Sequence, residues 1–245
     1  MAARLPRRSP LAALLLALLV AGCGTPELVA DIDAPPDANG LVPLRGAGLG
    51  EAWIRPGTNL SRYRALRLEP AEFQFRPVPE VPPSSRATAT EFPVGDADRE
   101  RFIADMNEAL RKELAASRKL PLTDERGPDV LVVQVAFLDI VSRVPPDIAA
   151  RNELYLDSVG EATLQLQLKD DGTGELLART SDRRKAEPPD GFGIPGAAGS
   201  LRQLSRTTPV TARSEARQAA QRWAAKVTRR IDQLYVQGKI EASKR

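Results

Sequence analysis

The chain has 245 residues, with 35 Lys and Arg, 32 Asp and Glu, one cysteine and no histidine. Without histidine there is no Ser–His–Asp or Cys–His catalysis and no imidazole base. A single cysteine builds neither an intramolecular disulfide nor a cysteine-rich metal site, so the composition implies no cofactor and no metal.

The N-terminus carries the address. Arg4, Arg7 and Arg8 precede an apolar run from Leu11 to Ala21, which ends in Gly22 and Cys23. A basic stretch, a short apolar stretch and small residues before a cut make a secretory signal over residues 1–22. The run is too short to span a bilayer, which takes about 20 apolar residues in a helix. Val20-Ala21-Gly22-Cys23 resembles the bacterial lipobox. That resemblance implies cleavage between Gly22 and Cys23 and acylation of Cys23; an ordinary signal peptide with a cysteine near its end is the plainer alternative. Removing the leader takes away three Arg and no acid, leaving 32 basic and 32 acidic residues and a net charge of zero. A basic footprint for nucleic acid is therefore lacking, and no nucleic-acid partner is expected. The expected partner at this end is membrane lipid, held through acylated Cys23. Gly24 rather than Asp after the cysteine leans toward the outer membrane, with the domain facing the periplasm.

Residues 24–50 are rich in Pro and Gly and show no sustained apolar period, which reads as a flexible tether with a reach of roughly 90 Å when extended. Packed irregular structure is the alternative around Leu41 to Leu44. A strand is expected from Tyr63, where Leu66 and Leu68 alternate with Arg64, Arg67 and Glu69. Pro70 interrupts it, and Phe73 and Phe75 continue the alternation. After a Pro-rich loop over 76–95, a helix is expected from Asp96 to Arg118. Phe102, Met106, Leu110 and Leu114 recur every four residues, acids stand at its start, basic residues at its end, and Pro121 stops it.

Asp129 to Arg143 is the most β-rich run, and its near-continuous apolarity suggests a central strand buried on both faces for part of its length. A Pro-containing loop follows over 144–152. Ala162, Leu164, Leu166 and Leu168 then alternate with polar residues as a half-buried strand. Asp170-Asp171-Gly172-Thr173-Gly174 supplies a turn, and Glu175 to Lys185 returns as the hairpin partner. After a Gly- and Pro-rich loop over 187–206, Thr208-Pro209 opens a second helix that runs to about Tyr235 and buries Ala216, Ala220, Trp223, Val227, Ile231 and Leu234. The order β-α-β-β-β-α predicts an α+β domain over 51–236: a mixed sheet of about four strands, its first β-α-β pair parallel, with two helices packed on one face. Residues 237–245 form a basic tail.

Trp53-Ile54-Arg55-Pro56-Gly57 with Leu60 and Tyr63, and then Pro70-Ala71-Glu72-Phe73, resemble the opening of an uncharacterised bacterial lipoprotein family known as domain of unknown function thirty-three thirteen. Gly160-Glu161-Ala162, Thr173-Gly174-Glu175 and Asp182-Arg183-Arg184 are similar to its later signature. The resemblance spans roughly residues 50–235 and implies a lipoprotein with this kind of domain. It brings no catalytic residue.

Several residues are candidates for contacts. Arg55-Pro56-Gly57 reads as a turn at the edge of the domain or as a ligand contact. Arg183, Arg184 and Lys185 offer an anion grip, Arg presenting a bidentate fork, or else form a solvated strand end. Asp139 and Glu161 are carboxylates available for acid–base work, although nothing in their spacing brings them together. Pro209 to Arg245 holds nine basic residues against three acids, a local net of +6. This stretch reads either as a face toward anionic headgroups or as an ordinary solvated helix face. The expected function is that of an envelope lipoprotein acting as a non-catalytic binding or scaffold module for an envelope protein or cell-wall component. The alternative is a tethered hydrolase that uses two facing carboxylates.

Overall fold

A computed structural model describes residues 27–80, 82–85, 89–145, 154–156, 158–186, 205–207 and 209–240. Cys23, Gly22 and the rest of the expected leader lie outside them, as do most of the loops expected over 144–152 and 187–206. The strands are β1 (Val29–Ala30), β2 (Val42–Arg45), β3 (Glu51–Ile54), β4 (Ala65–Leu68), β5 (Glu72–Phe75), β6 (Val130–Ser142), β7 (Leu154–Leu156), β8 (Gly160–Asp170), β9 (Leu176–Lys185) and β10 (Ser205–Thr207). The helices are α1 (Asp96–Ala115) and α2 (Pro209–Gln237).

The α+β class and the mixed sheet are as expected, but the strand number is corrected. Among the described residues eight strands share one sheet, not about four, in the order β1-β2-β3-β9-β8-β6-β4, with β5 also on β6. β7 and β10 form a separate antiparallel pair. The strand expected from Tyr63 is split into β4 and β5, β3 begins at Glu51 just after the segment read as tether, and β1 and β2 come from that segment itself. From Glu27 on, that segment belongs to the domain: β1 pairs with β2, β2 with β3, and β3 lies antiparallel along β9. Leu28, Ala30, Leu41, Val42, Ala47 and Leu49 are buried, and each lies within the expected tether. The strands are too short, and too interrupted by Pro43, Gly46, Gly48 and Gly50, to show a period in the sequence. Their pairing supplies the order that local propensity does not.

β6 organises the rest. Its thirteen residues pair antiparallel with β8 on one side and parallel with β4 and β5 on the other. β4 and β5 share that edge end to end, β4 opposite Val130–Val133 and β5 opposite Ala136–Ile140. Pro70 lies between them, where the missing N–H breaks one strand into two. The segment from β5 through α1 to β6 is the expected β-α-β unit with parallel strands.

Both helices join one core with the sheet. Met106, Leu110 and Leu114 of α1 are buried in it, as are Ala220, Trp223, Val227, Ile231 and Leu234 of α2. An aromatic cluster ties the layers together. Phe73 stacks on Phe137 with ring centroids 5.0 Å apart, Phe102 meets both edge-on, and Trp223 lies 6.4 Å from Phe137. Strands β5 and β6 and both helices therefore meet at one side chain, Phe137. α1 ends at Ala115, three residues before the expected Arg118. There Asp232 of α2 accepts hydrogen bonds from Ser117 Oγ (2.6 Å) and Arg118 N (3.0 Å), which draws the chain off the helix axis.

Where β6 begins, Tyr63 is buried, and its hydroxyl donates to Asp170 in the β8–β9 turn at 2.7 Å. Arg62 donates to both groups. Burial and the bond to Asp170 push the Tyr63 phenol up to about 12. Burial alone would raise Asp170, but the bonds from Tyr63 and Thr173 hold it below its ordinary value. Asp171 of the same turn binds Arg67 at 2.6 Å and Gly127 N at 2.9 Å. The Arg55–Pro56–Gly57 segment is a turn: Thr58 N donates to Arg55 O at 3.1 Å and Gly57 has φ +79°, the positive φ that favours glycine after proline. The tail expected over 237–245 begins packed, with Ile240 buried and its N–H bonded to Thr58 O.

Because Leu28 is 1% exposed, Leu28→Ala is expected to lower unfolding stability by about 2–5 kcal/mol, the range for emptying a core leucine site. Denaturant unfolding checks this; a free tether would show no change.

Candidate functional site

At the Ser142 end of β6, residues of β6, β8, α1 and α2 line an open cavity of about 270 Å³. That volume lies near the lower end of small-molecule sites, ~300 Å³. Phe75, Phe137, Ile140, Val141 and Leu164 line it from the sheet, and Phe102 and Met106 from α1. From α2 come Ala212, Ala216, Ala219 and Ala220. Four alanines on the facing side of a helix leave the space that larger side chains would fill. The mouth carries Asp98, Asp105, Arg184, Lys185 and Arg213.

A backbone irregularity shapes this end. Asp139 adopts φ +54°, in the left-handed region, and the β6–β8 register shifts between Leu138 and Val141. Asp tolerates that conformation better than most residues, and the extra residue forms a bulge. Asp139 is then held on the face of the sheet away from the helices. Arg76 grips it bidentately at 2.7 and 2.5 Å, and Arg183 donates to it at 2.7 Å. Arg76 also binds Glu91 (2.6 Å), and Arg183 binds Glu161 (2.7 Å) and Thr163 (3.1 Å). The chain Glu91–Arg76–Asp139–Arg183–Glu161 thus staples β5, β6, β8 and β9 together behind the cavity wall.

The electrostatics follow the pairing. The bonds from Arg76 and then Arg183 hold Asp139 well below the usual carboxylate range, and the bond from Arg183 lowers Glu161. Asp139 raises Arg76, and Glu161 raises Arg183. At the mouth, Asp105 accepts from Arg217 at 2.6 Å, and Asp98 lies 4.0 Å from Arg213. Two cations of the basic C-terminal helix therefore meet acids of α1.

The expected anion grip is placed as follows. Arg183 spends its guanidinium on Asp139 and Glu161, and Arg184 pairs with Asp182 at 2.7 Å, so both bind carboxylates of the chain itself. Lys185 is exposed at the cavity mouth. Asp139 and Glu161 do come together, but through Arg183 between them. Asp37, Glu69, Asp139, Glu161, Asp170 and Asp171 are each held below the ordinary carboxylate value. No cluster of three or more metal-ligating side chains occurs among the described residues. No described helix is long and apolar enough to cross a membrane. The sequence pointed to the carboxylates, Arg183, Ala216 and Ala220 but not to Arg76, Ala212 or Ala219, and Ala216, expected to be buried, is half-buried at the cavity. An acid inside an otherwise apolar strand was the one signal of the bulge.

Asp139 has a folded pKa below its unfolded value of ~3.9. Its contribution to stability is therefore present above that value and is lost as the pH falls through the folded pKa. Asp139→Asn keeps the shape and tolerates the positive φ, so it is expected to lower Tm at neutral pH and to flatten the fall of Tm below pH ~4. Thermal melts of both proteins across that range check it.

Comparisons place the chain in a family. No curated protein matches the sequence. Solved structures with similarity include the PelC dodecamer from Paraburkholderia phytofirmans, at 11% identity over 72% of this chain and 98% of that one, TM-score 0.33. The hypothetical protein CT253 from Chlamydia trachomatis is 10% identical over 71% and 99%, TM-score 0.37. Protein XCC0632 from Xanthomonas campestris is 12% identical over 71% and 83%, also at 0.37. Scores at this level add nothing to the fold described above. A family model, by contrast, matches residues 39–227, most of the chain, and by that match the protein belongs to the family described as protein of unknown function, DUF3313.

Proposed function

We propose that the protein is a lipid-anchored lipoprotein of the bacterial envelope, held at the outer membrane through acylated Cys23 and facing the periplasm. There it acts as a non-catalytic module that seats an apolar part of an envelope component in the cavity between α1, α2 and the end of the sheet. The observation that carries the binding role is that cavity, walled by Phe102, Phe137, Ile140 and the alanines of α2, with a charged mouth. A few polar groups around an apolar hollow are what a binding site requires, since burial supplies the affinity and the rim sets orientation. The anchor is supported by Val20-Ala21-Gly22-Cys23, where the chain's one cysteine stands at the lipobox position. Two or more acyl chains hold a protein stably where one does not. The non-catalytic reading is supported by the ion pairs that Glu161 and Asp105 make with Arg183 and Arg217 and by the absence of histidine from the chain.

Two measurements test the two halves separately. The fluorescent apolar probe N-phenylnaphthylamine is expected to bind saturably to the wild-type protein, and Ala216→Phe is expected to abolish that binding while the thermal transition is retained. Wild-type binding by Ala216→Phe overturns the cavity reading. Cys23→Ser is expected to abolish incorporation of labelled fatty acid, and continued labelling of that variant overturns the anchor.

A further inference from the structure

The domain is stapled to its own N-terminus much closer to Cys23 than the composition implies. Glu27 O packs against Gly46 so tightly that a Cβ there would stand 2.3 Å from it, and Gly46 adopts φ +82°. Leu28 is fully buried, and its carbonyl accepts from Gln237 Nε2, at the last residue of α2, at 2.6 Å. Only Gly24, Thr25 and Pro26 separate Cys23 from Glu27. Four peptide steps span at most about 14 Å. A lipid on Cys23 therefore cannot lie far from the end of the domain where α2 finishes.

That end also carries the apolar exposure. Among the described residues the exposed large hydrophobics are Val236, 67% exposed, and Ile32, 47% exposed. Val236 is next to Gln237, and Ile32 follows β1 four residues after Leu28. Arg229 and Lys239 are exposed on the last turns of α2 and just beyond it, as cations suited to anionic headgroups. The cavity lies at the other end of the same helix: Ala212 is 25 residues from Gln237, about 37 Å along the axis.

We infer that the domain docks directly on the bilayer that bears its anchor, with the C-terminal end of α2, Val236 and Ile32 against the headgroups and the cavity held away from the surface. This inference rests on the acylation of Cys23 proposed above. The domain is a short post standing on the membrane. It cannot sweep the width of the periplasm on a long leash, so whatever enters the cavity must come within one domain length of the bilayer.

The test uses the full-length acylated protein in phosphatidylethanolamine–phosphatidylglycerol vesicles. Because Cys23 is acylated, a second cysteine is labelled uniquely, and Val236→Cys and Ser214→Cys each replace an exposed residue, one at either end of α2. Energy transfer from a fluorophore at each position to acceptor lipids is expected to be several-fold greater from position 236 than from position 214. Equal transfer, or greater transfer from 214, overturns the docking while leaving the anchor in place. The intact mass of the same samples reads the anchor itself: a chain that lacks acyl groups at Cys23 overturns the anchor and, with it, this orientation.

Discussion

The structure depends on β6, a strand with no free side. Its apolar run takes parallel neighbours along one edge, an antiparallel partner along the other and both helices across one face. Parallel pairing needs a long crossover, and α1 supplies it. Phe137, halfway along the strand, contacts the aromatic rings through which β5, α1 and α2 are joined. At Asp139 the regular pleat breaks, and the residues on either side of the break, Phe137, Ile140 and Val141, line the cavity.

One backbone irregularity thus has two consequences on opposite faces. Away from the helices it turns out a carboxylate that two arginines grip, stitching four strands together. Toward the helices, in the same stretch, the alanine side of α2 faces the end of the sheet across an open apolar space. Backbone strain of this kind persists only where its surroundings over-determine it. Here they do so through ion pairs whose acids sit below their ordinary pKa. Asp139 and Glu161 thereby hold the strands together, and the cavity beside them has a largely apolar lining.

Much of this was legible in the sequence, for definite reasons. The four-residue spacing of Phe102, Met106, Leu110 and Leu114 marks α1, and the Val- and Leu-rich run marks β6, because each is a long periodic signal. The hairpin of β8 and β9 shows in the alternation around Leu164, Leu166 and Leu168. The short strands β1, β2 and β3 do not show. They are two to four residues long, and β3 takes its place by pairing with β9 more than a hundred residues later in the chain, with β2 and β1 added outside it. Pro43 and the glycines there read as a leash, when Gly46 is in fact the glycine on which Glu27 packs. The partners of Arg183 were equally hidden, since Asp139 of β6 and Glu161 of β8 reach it only once β6, β8 and β9 lie side by side. The alanines of α2 carry no signal of the cavity, because a small residue on a helix reads the same whether it packs against a neighbour or borders a void.

The central claim is that the end of the sheet at the Asp139 bulge is a binding site for apolar groups. The most direct measurement is methyl NMR of the alanine-labelled protein during titration with a medium-chain alcohol. The account predicts saturable shifts at Ala212, Ala216, Ala219 and Ala220, with Ala30 and Ala178 unmoved at the other end of the core. Shifts confined to the anchor end, or no saturable shift at the α2 alanines, would contradict it.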